Sequence, residues 1–582
     1  MLCERHRHPF LTAAVLIICV WFSGCSGSSA PDPAVDNSTN SATTSGETEA
    51  EKCRNKLSGA MRRLEPERMD LHADPERAIT GLNAWIASCA RDEVEALKLD
   101  DAALALLNSN PRALAGRYTG VDATYIRDAL LLRDLTAALT TRQPNTSESA
   151  EDRETARVVR IFDWVIRNVS LIPDDTQRPA LSLFDVLLIG RGTADDRAWI
   201  LAEMLRQQQI DAVLVRTTAP PADDGGVLDT AMSLIAVIQN DVGLLFDVVT
   251  GLPVVVGDDR DLLKPAPADV SVLKDHERWN DSTVEVIAQV AAFAPRMLVL
   301  QDRLAAEDAA ILFEELTGGV SEIRPLRDRI TSAGQLWTKD DISVWTYPED
   351  RVIASHSRSE AQIQEYDQLM RPFDAPFERK VYEPESVEEL TTVPEELSPE
   401  QRRLLAEERL MANFERITVS SEERFGKPSR RLLKARTQQV QGSIDSEVIQ
   451  QMQQIRIASM EERIRVAVPA LLQEQQGLPA MIVLDLPKLI REVNQSSTGD
   501  SMYWTALCQL DREEFGAAIT TFSNYRRQYP DGKWKYPSLV HQSLALLKQD
   551  RTDDAIAALK EADQDDNPEQ RRVRMMLQVL SK

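Results

Sequence analysis

Between residues 52 and 169 apolar side chains return every three to four positions. Ala78, Leu82, Trp85 and Ile86 share one face, and Ala96, Leu97, Leu99, Ala103, Leu104 and Leu107 carry the pattern on to Asn108. That period predicts helix over most of Lys52–Asn108. A further helix is predicted from Asp122-Ala123-Thr124-Tyr125 through Leu130-Leu131-Leu132 to about Thr140. Glu154–Val169 forms another, with Val158, Val159, Phe162, Val165, Ile166 and Val169 on one side. The polar, Pro-containing stretch 142–149 separates the two. Leu183–Ile189 then runs into Gly190-Arg191-Gly192, and helix is predicted from about Asp195 to Gln208. Ala212–Val215, Leu234–Ile238 and Leu244–Val249 have the length and β-branched content of strands, and Asn240-Asp241-Val242-Gly243 reads as a hairpin turn. Helices followed by antiparallel strands make this middle region α+β.

Farther along, Val284–Phe293 and Met297–Leu316 are predicted as helices and Ile342-Ser343-Val344-Trp345 as a short strand. Residues 383–399 are acidic and interrupted by Pro, the composition of a linker. Ser398-Pro399-Glu400-Gln401 then supplies a helix start, with Ser at the cap, Pro in the first position and Gln in the third. Everything after it is predicted as helix.

Composition narrows the function classes. The chain has 582 residues, enough for several domains. Its net charge of −25 lacks the basic footprint a general nucleic-acid binder needs. Six cysteines in a chain this long do not make a disulfide scaffold. Cys53 and Cys89 fall on neighbouring predicted helices, and the sequence leaves a disulfide or two buried thiols equally open.

The N-terminal segment reads as an address. Arg5 and Arg7 precede an apolar run from Pro9 to Phe22, too short to span a bilayer and suited to a secretory signal. The run ends in Phe22-Ser23-Gly24-Cys25, which resembles the bacterial lipobox, although Phe22 replaces the usual Leu. The resemblance implies acylation of Cys25. An uncleaved anchor or ordinary signal cleavage is the alternative. Residues 26–50 contain almost no large apolar side chain and read as a flexible tether. The signal's charge aside, the rest of the chain is strongly acidic and repelled by anionic lipid, so the anchor would do the membrane binding.

Gly190-Arg191-Gly192-Thr193-Ala194-Asp195-Asp196-Arg197-Ala198, followed by Leu205-Arg206, Ile210 and Ala212, resembles the transglutaminase-like superfamily, which has a papain-type architecture. The resemblance covers roughly Glu154–Leu252. It implies a nucleophilic Cys at the start of a helix, a His opening a strand and an Asp on the next strand. Here those positions hold Ala194, Met232 (with Ser233 beside it) and Asp247, so the family chemistry is not expected. A Cys there would be activated by the helix terminus and a nearby base, and Ala has nothing to activate. Asp247 is better read as a turn or cap residue, and Thr193 would lack a base. Asp195 and Asp196 fit a helix start, whereas Asp223-Asp224 and Asp258-Asp259 read as solvated loop acids. His276, His356 and His541 stand alone, and no metal or cofactor motif is present.

At the C-terminus, Ala506, Ala518, Phe522 and Pro530, then Ser543, Ala555 and Leu559, follow a spacing that resembles the tetratricopeptide repeat. An ordinary helical hairpin array is the alternative. The expected organisation is mainly helical α+β: signal 1–24, tether 25–50, helical segment 51–145, transglutaminase-like domain 150–265, α+β extension 266–380, acidic linker 381–399, helical segment 400–500 and repeats 501–582. The expected function is a non-catalytic envelope lipoprotein that scaffolds envelope proteins or peptides through the degenerate transglutaminase-like cleft and the tetratricopeptide-like repeats. A hydrolase or acyltransferase with catalytic residues outside the family positions is the alternative.

Overall fold

The computed structural model describes residues 48–65, 75–89, 117–141, 150–173, 176–208, 210–218, 231–239, 242–255, 261–263, 266–275, 283–291, 342–376, 394, 396–420, 429–460, 463–486 and 488–581. Cys25, the tether up to residue 47, His276, the helix predicted at Met297–Leu316 and nearly all of the acidic linker lie outside them. The chain is mainly helical with a few small sheets. Among the described residues no helix is long and apolar enough to cross a membrane.

Helices α1 (Glu49–Met61) and α2 (Pro75–Cys89) pack through Leu57, Ala60, Leu82 and Trp85, all buried. Gly81 lets them approach, since a Cβ there would sit 3.0 Å from that of Ala60. Cys53 and Cys89 are joined in a disulfide. Helix α3 (Gly120–Thr140) starts at a box formed by Thr119 and Asp122, whose carboxylate accepts from the Thr119 amide at 2.6 Å. Leu130, Leu131 and Leu132 are all buried, so this helix is covered on every side at its middle. Around it lie α2, α4 (Ala150–Asn168), α5 (Leu183–Ile189) and α6 (Ala194–Gln207). Gly190 ends α5 in the left-handed region, at φ 69°. The chain then reverses and pairs β2 (Arg191–Gly192) with β1 (Ser170–Leu171) in parallel.

Helix α6 packs on a six-stranded sheet of β3 (Ala212–Thr218), β4 (Ala231–Gln239), β5 (Val242–Asp247), β6 (Leu252–Pro253), β7 (Thr283–Ala291) and β8 (Ile342–Trp345). The strand order is β6-β5-β4-β3-β7-β8, with every pair antiparallel except β7–β8. The hairpin expected between 240 and 243 joins β4 to β5. The helix expected at Val284–Phe293 is instead β7. Its Val284, Val286, Ala288 and Val290 alternate with Glu285 and Gln289, and antiparallel pairing to β3 satisfies its backbone.

After β8 come α7 (Tyr347–His356), α8 (Glu360–Met370), α9 (Pro399–Ser420), α10 (Arg431–Val440) and α11 (Ser446–Ser459). Helix α9 begins where the Ser398-Pro399 signal places it, with Gln401 accepting from the Ser398 amide at 3.0 Å. Segment 400–500 is not wholly helical. Strands β9 (Arg463–Ala467) and β10 (Met481–Asp485) form an antiparallel ribbon around α12 (Ala470–Gln476). Ala406, Leu410, Val466, Leu472 and Ile482 make a small core of their own there.

Helix α13 (Lys488–Asp511) opens the C-terminal array, followed by α14 (Phe515–Gln528), α15 (Lys535–Leu547), α16 (Thr552–Ala562) and α17 (Gln570–Leu580). Ala506, Ala518, Phe522, Ala555 and Leu559 are all fully buried between successive helices. One hydrophobic cluster runs from Cys53 through α3, α6 and the sheet to Trp504, Phe522 and Ala545. The C-terminal helices therefore share a core with the middle of the chain, and α13 runs unbroken through residue 500.

Candidate functional site

The start of α6 is where the resemblance places a nucleophile. Thr193 is its N-cap: its hydroxyl accepts from the Asp196 amide at 3.2 Å, and its own amide donates to Asp196 Oδ2 at 2.8 Å. Ala194, half-buried, is the first helical residue. Asp196 is fully buried and satisfied on all sides, since Arg178 pairs with Oδ2 and the Tyr347 hydroxyl donates to Oδ1 at 2.9 Å. Tyr347 also lies 3.4 Å from the Thr193 hydroxyl. It is held there by stacking on Trp345, with centroids 5.6 Å apart, and by an edge contact to Trp199. Burial, with Asp196 adding, raises the Tyr347 pKa above its ordinary value, so its proton stays on the phenol. The helix terminus that would favour a thiolate is thus occupied by a carboxylate and covered by an aromatic ring.

The other two positions do not assemble a base. Met232 sits on β4 opposite Thr217. Asp247 ends β5 opposite Leu234, and its Oδ1 accepts from the amides of Val249 and Thr250 at 2.9 and 3.1 Å. It is the turn residue the sequence suggested, and its charge also favours the guanidinium of Arg197 on α6. Asp195 lies 3.8 Å from Arg216. His356 is at the end of α7, with Nε2 2.9 Å from the Thr124 hydroxyl. His541 is buried on α15 with Nδ1 3.1 Å from the Tyr503 hydroxyl. Burial, and then Arg572, push His541 down to about 3, so it is neutral. Among the described residues Thr193 has no histidine or lysine as a hydrogen-bond partner. Among the described residues no cluster of His, Cys, Asp and Glu could hold a metal ion.

Two features escaped the sequence reading. The first is a buried charged lock between α6 and the C-terminal array. Arg197, fully buried, donates to the carbonyls of Val169 at 2.6 Å and Val248 at 3.1 Å and pairs with Glu569. Glu569 also accepts from the Leu171 amide at 3.0 Å and lies 3.3 Å from Arg572. Burial alone would raise the Glu569 pKa, but Arg197 and Arg572 outweigh it and bring it down to about 2. Beside it, Arg436 from α10 donates to the carbonyls of Leu187 and Leu188 and lies 4.6 Å over the Trp504 ring. Charged residues at otherwise apolar helix positions are the trace these contacts leave in the sequence.

The second is an open groove between α11, α13 and α14. It consists of two lobes of about 340 and 220 Å³ that share Arg456, Met502 and Asn524. Neither lobe touches the start of α6.

Comparison with known protein families, with curated proteins and with solved structures finds no match to this chain.

Proposed function

We propose that the protein is a non-catalytic scaffold of the cell envelope, anchored by lipid at Cys25, that holds envelope proteins or peptides through its C-terminal helices. The observation that carries the non-catalytic half is the closed start of α6. Ala194 stands in the nucleophile position, Thr193 and Asp196 are spent on the cap, and Tyr347 covers the turn. Without a nucleophile and base, what is left of an acyl-transfer site is orders of magnitude below an intact triad. Successive helix pairs joined by short turns support the binding half, because stacked pairs build extended surfaces. The lipobox resemblance at Cys25 supports the anchor.

Two measurements test this reading. Incubated with acyl donors and peptide amides, the purified full chain should give no transamidation or hydrolysis. Labelled palmitate should enter the wild type and not Cys25→Ala. Turnover, whether or not it survives Thr193→Ala, or equal labelling of both proteins, would overturn it.

A further inference from the structure

We propose that the groove between α11, α13 and α14 is a binding site for a carboxylate-bearing segment of an acidic peptide. This rests on the scaffold reading and specifies its ligand. The chain as a whole is acidic, at −25, yet the lining of both lobes contains two arginines and no acid. Among the described residues Arg456 makes no ion pair and its guanidinium no hydrogen bond; its Nε is shut off from solvent with no partner. Arg456 lines both lobes, so its charge is open to an incoming acceptor. Arg527, across the groove, is oriented by donating to Asn524 Oδ1 at 2.8 Å and has no carboxylate partner among the described residues. Asp500, the acid acting on the adjoining Tyr529, is itself committed to Lys533 at 2.9 Å and the Trp534 indole at 2.7 Å.

A planar guanidinium matches a carboxylate with two parallel hydrogen bonds. The amides of Gln453, Asn524 and Gln528 offer donors and acceptors to a peptide backbone, and buried Met502 gives an apolar floor for a neighbouring side chain. A larger lobe of about 340 Å³ is within the range of ordinary ligand clefts. Phosphate shares the anion chemistry but would leave the amide row and the Met502 floor unused, so the peptide source is favoured.

The test is fluorescence anisotropy with the full chain in detergent and a labelled Glu-rich peptide with a free C-terminal carboxylate. The same peptide is tested with Gln for Glu and with an amidated C-terminus, and inorganic phosphate serves as competitor. The peptide should bind in a salt-sensitive way. Arg456→Gln and Arg527→Gln should each weaken binding roughly tenfold, and Arg456→Glu with Arg527→Glu should abolish it with an unchanged melting temperature. Equal binding of the Gln peptide, persistence in the double variant, full displacement by equimolar phosphate, or no binding would overturn the proposal. Loss with only one of the two carboxylate changes would name which carboxylate the groove takes. Mass analysis of the recovered peptide separates the two claims: cleaved peptide counts against the scaffold reading, whereas intact, unbound peptide counts against the groove alone.

Discussion

Glu569→Gln should be the most damaging isosteric change among the described charges that join the middle of the chain to its C-terminal helices. Glu569 is buried and takes hydrogen bonds or ion pairs from Arg197, Arg572 and the Leu171 amide. Its pKa falls from an ordinary 4.5 to about 2. At roughly 1.4 kcal/mol per unit, that difference contributes about 3 kcal/mol to stability at neutral pH. Removing one partner of a buried pair costs a comparable 3–5 kcal/mol or so, because Arg197 is left charged among apolar neighbours. The depressed pKa sets the pH dependence. The contribution is complete above about pH 4.5 and is lost as pH falls toward 2, so wild type and variant should converge on acidification. Urea unfolding followed by tryptophan fluorescence reads the change, since Trp504 and Trp534 pack in the same core. A difference below about 1 kcal/mol at pH 7, or one that does not shrink in acid, would refute the reasoning. Replacing Arg197, Glu569 and Arg572 together by Met, Leu and Met should recover only part of the loss: no charge is then left unpaired, but the Val169 and Val248 carbonyls and the Leu171 amide lose their partners.

Glu203, buried on α6, lies 3.2 Å from Arg206 Nε without hydrogen-bonding it, and burial, with Asp128 adding, pushes it up to about 8. A raised carboxyl pKa costs stability as pH rises from about 4.5 toward 8, so Glu203→Gln should stabilise the chain at pH 7 by on the order of 3 kcal/mol and by nothing in acid; denaturation at the two pH values checks this. The Cys53–Cys89 bridge closes a loop across a separation of 36 residues. Cys53→Ser with Cys89→Ser should therefore destabilise the α1–α2 hairpin by roughly 3–4 kcal/mol, read as faster amide exchange at Leu57 and Leu82.

Where local chemistry sufficed, the fold was legible. The helices around Trp85, Leu131 and Phe162, the hairpin after Ile238 and the cap at Ser398 all follow from period, turn residues or capping pattern. Strand β7 was hidden because Ile287 fills a gap in the alternation of Val284, Val286 and Val290, and the apolar Ala291-Ala292-Phe293 prolongs it into a helix-like run. Strand β9, Arg463-Ile464-Arg465-Val466-Ala467, alternates cleanly but is short and embedded in helical sequence. At the candidate site, the helix start at Ala194 and the turn role of Asp247 were legible from residue type and spacing. Tyr347 was not, because its place over Asp196 depends on packing across 151 residues. The arginines of the groove look like any solvated helix face until α11 is laid beside α13.

The Arg197–Glu569 pair spans 372 residues, and this has a consequence for how the chain is made. At roughly 5–20 residues per second, about twenty seconds or more separate synthesis of the two partners. Throughout that interval α6 would carry a buried-type arginine without its ion-pair partner, and the apolar faces awaiting α13 to α15 would be uncovered. Such long-range closure slows folding and prolongs exposure of sticky surface. A chain of this design gains from being kept unfolded until its C-terminal helices are available, and a stop codon or a frameshift near residue 560 should leave an aggregating product rather than a shortened working one.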